Sequence, residues 1–142
     1  MHWIHSIGRK SALLAVLLVW TGCATPPPPS NVKAVNCDTA KILWEVAQQA
    51  EIDNFDCALG KHAGEDSLIF TVTVKNISKD PQRFRLQIFL LDMDKAAGSL
   101  VPPKGKPPVL APDATYKAKI PFMKTAGMAR KIQVRIIPMS ME

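Results

Sequence analysis

Phe84-Arg85-Leu86-Gln87-Ile88-Phe89-Leu90 decides the fold, because Phe84, Leu86, Ile88 and Leu90 share one parity while Arg85 and Gln87 share the other. Successive side chains of a β-strand point to opposite faces, so this alternation predicts a strand with one buried side and one wet side. The same period runs upstream. Phe55, Cys57 and Leu59 alternate with polar neighbours, Gly60 to Asp66 supplies turn residues, and Leu68, Phe70, Val72 and Val74 alternate with Ile69, Thr71, Thr73 and Lys75. This predicts a hairpin, and Asn76-Ile77-Ser78-Lys79-Asp80-Pro81 predicts the turn that leads on to Phe84.

Downstream, Asp92 to Gly98 reads as a turn, Ser99-Leu100-Val101 as a short edge strand, and Pro102 to Pro112 as a proline-rich loop. Tyr116, Ala118, Ile120 and Phe122 then alternate with Thr115, Lys117 and Lys119, and Ile132, Val134 and Ile136 with Lys131, Gln133 and Arg135. Five or six antiparallel strands joined by short turns predict a small, mainly β domain, an antiparallel β-sandwich of immunoglobulin-like shape. One helix is added at its N-terminal side. Asp38 or Thr39 can cap, and Ala40, Leu43, Val46, Ala47 and Ala50 recur at three- and four-residue steps, so a helix of about three turns is predicted, with Trp44 packing on the sheet edge.

The first residues carry His2, His5, Arg9 and Lys10 without an acid, followed by the apolar run Leu13 to Trp20. That run is too short for a permanent membrane span and matches the basic and apolar regions of a secretory signal. It ends in Trp20-Thr21-Gly22-Cys23, which resembles the lipobox read by lipoprotein signal peptidase, with Trp20 standing where leucine is usual. The resemblance implies cleavage before Cys23 and a fatty-acyl anchor of the palmitate type on that residue. Ala24 follows where aspartate would imply retention in the inner membrane, so the implied location is the outer membrane, facing the periplasm. Cleavage divides the 142 residues into a signal peptide over 1–22, a proline-rich linker over 23–36 and one domain over 37–142. Pro26-Pro27-Pro28-Pro29 favours an extended polyproline segment, read as a spacer that holds the domain off the membrane.

Two cysteines besides Cys23 remain in the exported chain, and an even pair in an oxidising compartment predicts a disulfide, Cys37 to Cys57. Such a loop of about 20 residues contributes about 3 kcal/mol in the chain-entropy picture.

The stretch Val74-Lys75-Asn76-Ile77-Ser78-Lys79-Asp80-Pro81-Gln82-Arg83-Phe84-Arg85-Leu86-Gln87-Ile88-Phe89-Leu90-Leu91-Asp92 resembles the central pattern of YcfL-like predicted periplasmic lipoproteins. In that pattern a strand ends in Asn, turns through proline and runs out to an Asp. Leu110-Ala111-Pro112-Asp113-Ala114-Thr115 is similar to their turn before the next strand. The resemblance implies a non-enzymatic envelope lipoprotein and carries no cofactor or catalytic residue with it.

The residues themselves point the same way. His62 is the one histidine left after signal removal and lies in a charged turn, a poor seat for a catalytic triad. Asp92 and Asp94 lack a third ligand and a following EF-hand glycine, so they read as turn residues and no metal site is assigned. Charge is unevenly distributed: three lysines face seven acids from Cys23 to Asp66, and thirteen basic residues face five acids from Ser67 to Glu142. Arg83, Arg85, Lys117, Lys119, Lys131 and Arg135 occupy polar phases of the predicted strands, and strands sharing one sheet would gather them on one face. That face suits an anionic envelope component, such as lipopolysaccharide phosphate, anionic phospholipid or peptidoglycan carboxylate, or an acidic protein surface. Nucleic acid is disfavoured, since no aromatic ladder accompanies the charges. The sequence therefore reads as a binding or scaffolding module. The alternative is a small enzyme or ligand carrier with a pocket near Pro102 to Pro112.

Overall fold

A computed structural model describes residues 26–140. The predicted signal peptide and Cys23 lie outside them. Eight strands follow in chain order: β1 Val35–Asn36, β2 Lys41–Val46, β3 Ala50–His62, β4 Glu65–Asn76, β5 Phe84–Leu90, β6 Lys95–Val101, β7 Thr115–Met123 and β8 Lys131–Pro138. They form two four-stranded sheets, β1-β3-β4-β7 (sheet A) and β2-β8-β5-β6 (sheet B). Five of the strands, β3, β4, β5, β7 and β8, match stretches with a legible period of two, whereas β6, expected as a short edge at Ser99–Val101, begins at Lys95 inside the stretch expected to be a turn.

The two sheets enclose one core. Phe84, Leu86, Ile88 and Leu90 of β5 and Leu68, Phe70, Val72 and Val74 of β4 have no exposed surface, and Ile132, Val134 and Ile136 of β8 join them. An aromatic contact bridges the layers, Trp44 of sheet B meeting Phe55 of sheet A edge-on at 5.2 Å, and Phe55 in turn meets Phe70 within sheet A at 5.5 Å. Full burial of such a side chain contributes about 1.5–3 kcal/mol, so this alternation stabilises both sheets at once.

Two expectations are corrected here. The segment from Asp38 to Ala50 is no helix; Lys41–Val46 is strand β2, paired in parallel with β8 from Lys41↔Lys131 to Val46↔Ile136, and Ala50 already opens β3. The three- and four-residue recurrence of Ala40, Leu43 and Val46 coexists with a period of two in Ile42, Trp44 and Val46. These β-branched and aromatic residues suit a pleated surface, and pairing with β8 supplies hydrogen bonds that a lone amphipathic turn would have to find within itself. The second correction concerns strand number and sense. There are eight strands rather than five or six, and β1–β3 and β2–β8 pair in parallel.

The body takes in residues before Cys37. Val32 bridges Ile52, the Lys33 amide donates to Ile52 O at 2.8 Å, and β1 pairs Val35 with Phe55 and Asn36 with Asp56. Continuing that register by one residue sets Cys37 beside Cys57, and the two form the predicted disulfide, with Cα atoms 4.9 Å apart. It staples the short β1 end to β3 within sheet A.

The long loop after β6 is held at the opposite end of the body. Gln82 and Leu110 exchange backbone hydrogen bonds, and the Asn76 side chain, fully buried, donates to Asp80 O and Leu110 O at 2.8 Å each while accepting from the Ser78 amide and hydroxyl. Among the described residues every buried side-chain nitrogen and oxygen has a partner. At Gly98 a Cβ would lie 2.6 Å from Leu86 O, so β6 lies this close to β5 only with glycine there.

Candidate functional site

The six basic residues expected on one face are divided between two sheets that look in opposite directions. Lys117 and Lys119 lie on β7, opposite Thr73 and Thr71, on the outer face of sheet A. Arg85, Lys131 and Arg135 lie on β5 and β8, on the outer face of sheet B. Arg83 precedes β5 and donates from Nε to Pro102 O and from a terminal guanidinium nitrogen to Pro103 O, both at 3.3 Å, so it pins the proline-rich loop. The single basic face is thus corrected to two fields and a loop clamp. Alternation places a side chain on one side of its strand but leaves open which sheet the strand joins.

Sheet B carries the richer surface. Its outward rows run Lys41–Lys131, then Leu43–Gln133–Phe89–Ala96, then Glu45–Arg135–Gln87–Gly98, then Ile137–Arg85–Leu100. Leu43, Phe89, Leu100 and Ile137 are half-buried although, apart from the prolines beside Leu43, nothing among the described residues covers this side. Arg135 is committed internally: its Nε stands 2.7 Å from Glu45 Oε2 and its guanidinium lies 5.7 Å over the Phe89 ring. Arg85 and Lys131 are exposed and form no ion pair among the described residues.

Sheet A's outer face is electrically split over its polar part, and towards the β3–β4 hairpin it carries the apolar row Ala58–Ile69–Pro121. Asn36 and Asn54 both donate to the Asp56 carboxylate at its β1 side, Thr71 and Thr73 fill the middle, and Lys117 and Lys119 stand on the β7 edge. Lysines and Pro121 on an edge strand discourage pairing with another chain, which accounts for β7 without a ligand.

The remaining candidates have structural roles. Asp92 accepts from the Arg130 amide at 2.9 Å and the Lys131 amide at 3.3 Å, and those backbone donors, the first foremost, hold its carboxyl below the ordinary range. It thereby ties the β5–β6 turn to the start of β8. Asp94 sits in that turn at φ 52°, and His62 ends β3 opposite Glu65. Among the described residues no group of three or more His, Cys, Asp or Glu side chains is placed to hold a metal ion.

The apolar members of the sheet B face were missed, although Phe89, on the wet parity of the most regular strand, marks them in the sequence. No family model, curated protein or solved structure matches this chain.

Proposed function

We propose that this chain is a cell-envelope lipoprotein, anchored through Cys23 in the outer membrane and facing the periplasm, that acts as a non-enzymatic binding or scaffolding module. One observation carries the binding reading: the outer face of sheet B interleaves Leu43, Phe89, Leu100 and Ile137 with Arg85, Lys131 and Arg135. Apolar side chains at outward positions suit contact with a partner, and Arg85 and Lys131, the cations here outside any ion pair among the described residues, suit an anionic envelope component or an acidic protein surface. The disulfide supports export to an oxidising compartment. The resemblance to YcfL-like lipoproteins belongs to this proposal, as does an immunoglobulin-like shape for the two-sheet body.

Capture from envelope extracts with a crosslinker tests it, comparing Arg85→Glu with Lys131→Glu against Lys117→Glu with Lys119→Glu. The sheet B pair should weaken capture by up to roughly tenfold, with a salt dependence that the sheet A pair lacks. Equal capture by both folded variants would remove the sheet B face from the reading.

A further inference from the structure

The four prolines do not project from the body; they run along it. Pro26 and Pro28 share a groove with Cys37, Thr39, Lys41 and Ile42, and Pro27 and Pro29 flank Leu43 and Trp44. Pro29 O then accepts from the Val32 amide, and the Asn31 side chain donates to Val46 O, Ala47 O and Ala50 O. The chain therefore climbs beside β2 in the same direction, from the Lys41 end of the body to the Val46 end. A spacer laid along the domain cannot hold that domain away from its anchor.

Three residue steps separate Cys23 from Pro26, and an extended chain covers at most about 11 Å in three. A domain of this size has a radius of gyration of about 13 Å, so a tether this short keeps the Lys41 end at the bilayer surface.

That end is built for the contact. Lys41 pairs with Lys131, the Leu91 amide donates to Lys131 O at 2.9 Å, and Lys95 Nζ donates to Met123 O and Lys124 O, which sets the ends of β2, β8, β5 and β7 together. Leu59 joins them through its pairing with Leu68, one register from Ser67 and Met123. Among the described residues four large hydrophobic side chains are exposed, and three are here: Leu59 at 50%, Leu91 at 42% and Met123 at 51%. The fourth, Ile77, lies at the far end. Leu59 is on the inward parity of β3, opposite the buried Leu68, yet it stands exposed near the β3–β4 hairpin. Charges of both signs share this end: Lys61 pairs with Asp66 and Arg130 with Asp92, and Asp38, Glu65 and Asp94 accompany Lys41, Lys95, Lys124 and Lys131.

We propose that Leu59, Leu91 and Met123 form a membrane-seating surface, which enters the interfacial region of the phospholipid bilayer that holds the Cys23 lipid. The inference rests on the lipoprotein reading. Binding comes from apolar insertion beside a covalent tether rather than from charge, so the seating is insensitive to salt and to the fraction of anionic lipid.

The test uses full-length protein processed in cells and reconstituted into phosphatidylcholine vesicles with brominated acyl chains. Leu59→Trp, Met123→Trp and Ile77→Trp are compared, each against the unsubstituted chain to subtract Trp44. Emission from Leu59→Trp and Met123→Trp should fall at least about twofold, and Ile77→Trp should be unaffected, since an interfacial residue sits within about 10 Å of the acyl boundary. Metabolic labelling with fatty acid reads the anchor separately. Labelled protein in which neither Leu59→Trp nor Met123→Trp is quenched overturns the seating surface and leaves the anchor standing. Absence of label overturns the anchor and the seating surface together.

Discussion

Asn76→Ala removes the most connected polar side chain of the core and should destabilise the domain more than its size suggests. Its amide makes four hydrogen bonds: two donated, to Asp80 O and Leu110 O, and two accepted, from the Ser78 amide and hydroxyl. At about 0.5–1.5 kcal/mol net for each bond, the upper range of the loss is about 6 kcal/mol. Two circumstances lower it. With Asn76 Oδ1 gone, the single Ser78 hydroxyl proton is free to turn to Asp80 O, and Leu110 O keeps the Gln82 amide, so neither carbonyl is left wholly unpaired. Ser78 is half-buried, and water can reach its amide. The expected cost is therefore about 2–4 kcal/mol, a fall in Tm of roughly 10 °C for a domain of this length. Urea unfolding followed by circular dichroism measures it, with the midpoint shifting and the slope unchanged. Hydrogen exchange adds the location: the amides of Gln82 and Asp113, which donate to Leu110 O and Asn76 O, should lose protection first. A destabilisation under about 1 kcal/mol, or unchanged protection at both amides, would refute the view that Asn76 clasps the β4 end to the long loop.

Replacing Cys37 and Cys57 together by serine should cost about 3 kcal/mol through the closed loop of 20 residues, read as a Tm loss of roughly 10 °C by calorimetry; a loss of only one or two degrees would contradict it. Asp92→Asn should reshape acid stability. A carboxyl held below its ordinary value in the folded state contributes stability above the unfolded pKa, and that contribution is lost as pH falls through the folded pKa. Melting curves of wild type and Asp92→Asn should therefore differ above about pH 4 and converge below it, and a gap independent of pH would count against the backbone-held carboxylate.

The parts of this protein legible without coordinates are those where a local signal has one physical reading. The wet and dry sides of β4, β5, β7 and β8 follow from alternation, since burying one side of a strand leaves the other to polar residues. The Cys37–Cys57 bond follows from an even pair in a chain read as exported. The same local signals failed where pairing decided the outcome. Lys41–Val46 satisfies both a helical and a strand period, and only the open edge of β8 chose between them.

Tertiary structure alone decided which basic residues stand together. Parity set Arg85 and Lys119 outward, but β5 joined one sheet and β7 the other, so two residues with the same local signal face opposite directions. It also decided the course of the prolines. Their composition dictates an extended chain, and an extended chain is equally at home projecting into solvent or lying along a strand edge. The hydrogen bonds at its far end select the second: Pro29 O accepts from the Val32 amide and the Asn31 side chain donates to Val46 O, Ala47 O and Ala50 O, which fixes a segment already stiff and with little conformational entropy to lose.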